Sequence, residues 1–168
     1  MLTLLKPVHA LVVVYFILNN HNYWASGVLM WLMVVDMFDG WLFNISALSS
    51  NQKLKLFRRI FNTTGDYVSV QTVLIIMINF LDFPIYLYSI ELIREIVLLV
   101  ILFSGWISKK QLPLGANLMA RIAIFSVGLM AIAWLIYPEL AKWCLIPIII
   151  FGLIGTKKHY LTTKAGAE

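Results

Sequence analysis

Cysteine is nearly absent. Cys144 stands alone, so the chain can form no internal disulfide. It lies in an apolar stretch, where a small packing residue is its simplest role. Charge is scarce too. Asp, Glu, Lys and Arg make up 12% of the residues, against about 25% in ordinary soluble domains. Such a chain has too little charge for a water-facing surface all round. His9, His21 and His159 show no metal-ligand spacing. There is no internal repeat, no Gly/Ser linker and no low-complexity tract. The opening Met1-Leu2-Thr3-Leu4-Leu5-Lys6-Pro7 has no basic lead-in and no small-residue cleavage site. The first apolar run is therefore expected to be a membrane helix and not a removed signal peptide.

What fills the chain is apolar, 61% of 168 residues. Six apolar segments stand out, at 4–19, 24–44, 66–82, 84–105, 117–136 and 140–156. Each approaches the roughly 20 residues that a helix needs to cross a bilayer. Short polar breaks separate most of them, and the stretches 45–65 and 106–116 read as longer loops. The expected fold is an all-α membrane protein, six transmembrane helices in one bundle. Residues 1–168 form a single domain in this reading, too short for a second.

Basic residues orient the bundle. Lys6 precedes the first segment; Lys53, Lys55, Arg58 and Arg59 lie between the second and third. Lys109, Lys110 and Arg121 lie around the fourth break, and Lys157, Lys158 and Lys164 close the chain. With six spans all of these fall on one side, which the positive-inside rule makes cytoplasmic, with both termini there. Trp24, Trp41, Trp106 and Trp143 sit near segment ends, as an interfacial aromatic belt requires.

Against that background the acids are informative. A carboxylate within a membrane segment costs several kcal/mol and is seldom accidental. Asp36 and Asp39 end the second segment three residues apart, hence on one helical face. Asp66 opens the third segment. Three carboxylates converging in a cytoplasm-facing cavity can hold a hard divalent cation, Mg²⁺ or Mn²⁺. Gly40 lets a phosphate or backbone approach closely. Arg58 and Arg59 bring positive charge to the same mouth, suiting an anionic, phosphorylated substrate. No nucleic-acid partner is expected.

In the fourth segment Arg94 follows Glu91 by three residues and adjoins Glu95. Two roles are open to it. It can form an internal ion pair that orders helix packing, or it can hold a substrate phosphate.

The chain resembles the CDP-alcohol phosphatidyltransferases. Their signature runs D-x2-D-G-x2-A-R and then G-x3-D-x3-D. Asp36-Met37-Phe38-Asp39-Gly40 matches the first half, and Asp66 matches the third aspartate. Leu2-Thr3-Leu4-Leu5-Lys6 is similar to the family's L-T-x-x-R opening, with Lys for Arg. Leu92-Ile93-Arg94-Glu95-Ile96 is similar to a stretch of the phosphatidylglycerophosphate synthase branch. The departures are Phe43-Asn44 for Ala-Arg, Asn62 for the signature glycine, and Val70 for the fourth aspartate. In the family that aspartate is metal ligand and general base, and valine can be neither.

The resemblance implies phosphatidyl transfer from a CDP-linked lipid donor to an alcohol acceptor, with CMP released in phospholipid biosynthesis. It implies divalent metal at Asp36, Asp39 and Asp66, with Arg58, Arg59 or Arg94 on phosphate and no catalytic base assigned. It also implies a homodimer in contact with membrane lipids. The expected location is an integral membrane protein, in the inner (plasma) membrane of a bacterium if the source is one. Two other readings stay open: an inactive family member that binds nucleotide-lipid or a membrane partner, and a small ion or solute transporter.

Overall fold

The computed structural model describes residues 6–45, 52–107 and 118–165. Within them the side chains of 39–45, 52–64 and Asp66, among others, lie outside the described residues.

Long runs of Leu, Ile, Val and Met, with proline confined to first turns (Pro7 in α1, Pro147 in α7), form helices, and the described elements are all helical. In order they are α1 (Lys6–Leu18), α2 (Asn22–Ile45), α3 (Gln52–Phe80), α4 (Ile85–Ile107), α5 (Leu118–Ile136), the short α6 (Pro138–Ala141) and α7 (Leu145–Ala165). One turn of 3-10 helix, Lys142–Cys144, joins α6 to α7. Among the described residues six rods result, the last entered through α6.

Polar punctuation ends the rods. Asn20 takes the left-handed conformation at φ 59°, which asparagine tolerates better than most residues. The His21 amide then donates to the Phe16 carbonyl at 2.8 Å, and Asn20 to Ile17 at 3.0 Å. This paired closure satisfies carbonyls left open at the end of α1. Asp82, at φ 51°, turns the chain between α3 and α4. Pro138 starts α6, where its missing N–H is not needed.

One expected loop is corrected. Residues 52–65 belong to α3, which is 29 residues long. Leu54, Phe57 and Phe61 recur at intervals of three and four, and Lys55, Arg58 and Arg59 recur likewise. That is the pattern of a two-faced helix. A search for unbroken apolar runs passes over it because the charges interrupt every run.

The helices pack around a core centred on α1, α3 and α5. Val13, Ile17, Leu74, Met77, Val127 and Met130 are almost wholly enclosed. α1 lies against both α2 and α3, α5 against α2 and α7, and α4 against α7. Trp134 of α5 donates its indole N–H to the Leu81 carbonyl at 3.1 Å, tying α5 to the α3–α4 turn. Its ring meets Phe83 edge-on at 5.3 Å.

Among the described residues, one helical stretch, Pro138–Lys158, is long and apolar enough to cross a membrane. Lys6–Leu18, Tyr67–Phe80 and Arg121–Ile136 are apolar but shorter. α4 has the length, 23 residues, and carries Glu91, Arg94 and Glu95 in mid-helix.

Candidate functional site

Asp36 of α2 and Lys6 of α1 meet directly. Lys6 Nζ donates to Asp36 Oδ1 at 2.6 Å. The Lys6 side chain is 4% exposed and that of Asp36 38%. An ammonium so enclosed needs an acceptor, because an unpaired buried charge is strongly destabilising. The Lys6 stem also runs past α3: a Cβ built on Gly65 would stand 3.8 Å from Lys6 Cδ. A single lysine therefore binds α2 at Asp36 and passes beside α3 at the residue before Asp66.

Of the three aspartates, Asp36 alone has a described side chain. Asp39 and Gly40 follow it by three and four residues within α2, and Asp66 lies in α3. The side chains of Asp39, Asp66, Arg58 and Arg59 lie outside the described residues. Among the described residues no three His, Cys, Asp or Glu converge as a metal cluster. Val70 is half-buried and packs against the hydrophobic core. Next to it, Ser69 Oγ and Gln71 Oε1 are buried without a hydrogen-bond partner among the described residues.

A family model described as CDP-alcohol phosphatidyltransferase matches residues 1–154. The chain belongs to the CDP-alcohol phosphatidyltransferase family. No curated protein and no solved structure matches it. Members of this family are phosphotransferases of phospholipid synthesis, which use divalent metals and are typically integral to membranes. The matched stretch takes in Lys6, the three aspartates, Val70 and Arg94.

A second charged cluster of this family member lies between α4 and α7. Arg94 grips Glu91 with two bonds, Nε to Oε2 at 2.8 Å and Nη2 to Oε1 at 2.5 Å. Nη2 also donates to Glu95 Oε1. Arg94 and Glu91 are 8% and 4% exposed at their side chains. The guanidinium stem crosses α7 at Gly152, where a Cβ would fall 2.7 Å from Arg94 Cδ. Beside it is a mostly apolar cavity of about 240 Å³, lined by Ile90, Ile93, Val97, Ile148, Leu153 and others. These contacts suit the packing role of Arg94.

Two residues escaped the sequence reading. Lys6 looked like one more cytoplasmic anchor; its match to the arginine of the L-T-x-x-R opening was the available signal. Gly152 gave no signal, because a glycine within an apolar helix has many causes.

Proposed function

We propose that the chain transfers a phosphatidyl or related phospho-alcohol group from a CDP-linked lipid donor to an alcohol, releasing CMP. It does so as a six-span membrane bundle with both termini and the site on the cytoplasmic side, and as a homodimer. The family match over residues 1–154 carries this reading. Two features add support. Lys6 binds Asp36 and passes beside Gly65, the α3 residue before Asp66. Apolar side chains face outward on separate rods, with Leu11 65%, Ile93 61% and Leu153 67% exposed. Outward apolar surface of that extent suits a hydrocarbon environment.

In this proposal Asp36, Asp39 and Asp66 hold Mg²⁺ or Mn²⁺, since carboxylate oxygens are the donors that hard cations take. A bound cation supplies neutralisation of the donor's diphosphate charge. Gly40 leaves room for a phosphate beside the aspartates. Arg58 and Arg59 steer and hold the anionic donor, with the fork geometry a phosphate accepts. Arg94 serves as a phosphate contact only by exchanging one of its glutamates. Val70 offers the acceptor hydroxyl no base. General-base help contributes ~10²–10⁴-fold where present, so turnover without it is slow.

A second reading has its own observation. Val70 packs into the core where the family has a ligand and base. That favours an inactive member which binds nucleotide-lipid without transfer.

The deciding experiment is CMP release by purified protein from CDP-diacylglycerol, with Mg²⁺ or Mn²⁺ and a panel of alcohols. Alcohol-dependent CMP supports the transferase. Metal-dependent CDP binding without CMP release supports the inactive binder.

A further inference from the structure

We infer that Lys6 is the counter-ion against which a divalent cation competes for Asp36. The inference rests on the proposed role of Asp36 as a metal ligand.

Lys6 Nζ sits 2.6 Å from Asp36 Oδ1, so that oxygen is already engaged by a full positive charge. An ammonium carries three donors and no acceptor. It can be buried at 4% exposure only among oxygen acceptors. A divalent cation arriving at Asp36 brings like charge to within a few ångströms of it. The lysine must then turn its head to another acceptor, or the cation binds weakly.

The stem permits that turn. Lys6 Cδ lies beside Gly65 of α3, 3.8 Å from where a Cβ would be. A lysine carries its three donors on rotatable terminal bonds, so the head can reorient among acceptors while the stem stays beside α3. The acceptor best matched to a displaced ammonium is a phosphate oxygen of the anionic donor. Cation and diphosphate then assist each other through Lys6: the cation displaces the ammonium from Asp36, and the diphosphate offers it a stronger acceptor. By linkage, each raises the other's affinity by the same factor.

The test uses full-length protein in detergent and Mn²⁺ as the probe, followed by calorimetry and by electron paramagnetic resonance of free Mn²⁺. Lys6→Met should bind Mn²⁺ alone at least tenfold more tightly than the unaltered chain. The enhancement of Mn²⁺ affinity by CDP should shrink in the same variant. Lys6→Arg, which keeps the charge, should stay close to the unaltered affinity.

Asp36→Asn separates the two ideas. If Mn²⁺ binding survives it unchanged, the metal role of Asp36 fails and the inference with it. If Asp36→Asn abolishes binding while Lys6→Met leaves it unchanged or weaker, the inference alone fails. No Mn²⁺ binding in any form overturns both. Should Lys6→Met not fold, the unaltered chain gives an independent readout. Its Lys6 side-chain NMR signal should shift on adding Mg²⁺, with the midpoint of Mg²⁺ binding. A signal that stays in place overturns the inference.

Discussion

Gly152 and Arg94 fit each other across the α4–α7 contact: a Cβ on Gly152 would stand 2.7 Å from Arg94 Cδ and 3.6 Å from its Cγ. The absent side chain is the room through which the arginine reaches Glu91 and Glu95. Gly152→Ala should therefore force the stem aside and loosen the bidentate grip on Glu91. Overpacking of this kind costs about 1–3 kcal/mol. Thermal denaturation in detergent should show a clear fall in midpoint, and an unchanged midpoint would refute the contact.

The α4 cluster makes a sharper demand. Arg94→Met leaves Glu91 and Glu95 enclosed without a cation, and breaking a buried pair from one side costs about 3–5 kcal/mol. Replacing all three charges, as Glu91→Leu, Arg94→Met and Glu95→Leu together, should recover most of the loss. If the triple variant retains CDP binding, Arg94 is a packing residue. If it folds and loses CDP binding, Arg94 also contacts phosphate.

For the Lys6–Asp36 pair the expected cost is smaller, because Asp36 is partly open to solvent. Asp36→Ala should lower stability by about 1–3 kcal/mol through loss of the ion pair with the enclosed ammonium. Lys6→Met with Asp36→Leu should restore part of it. Equal stability of the single variant and the unaltered chain would show that Lys6 draws its compensation elsewhere.

Metal dependence is the next expectation. CDP affinity should require Mg²⁺ or Mn²⁺ and fall sharply in Asp39→Asn. Calorimetry that finds equal CDP binding with a chelator present would reject a cation-bridged site.

Val70→Asp tests the degenerate position. Restoring the carboxylate should raise CMP release at least tenfold, equivalent to about 1.4 kcal/mol of barrier. It should also lower stability, since Val70 packs against the core and an enclosed carboxylate is costly. A folded variant with no gain in rate would favour the inactive binder.

The sequence by itself determined the rods, their order and most of their ends. Length of apolar run, a left-handed Asn20 or Asp82, and Pro138 act locally, within a turn or two of chain. It also determined the spacing of Asp36, Asp39 and Gly40, since three and four residues along a helix mean one face whatever surrounds it. The extension of α3 over 52–65 was legible too, as a two-faced pattern, but is hidden from any search keyed to continuous hydrophobicity. Tertiary structure alone decided that Lys6 answers Asp36, thirty residues away. It alone decided that Arg94 passes over Gly152 and that Val70 faces the core. Such pairings depend on how each helix is rotated about its axis when packed against its neighbours. That rotation is settled by the whole interface at once, and no local stretch of sequence encodes it.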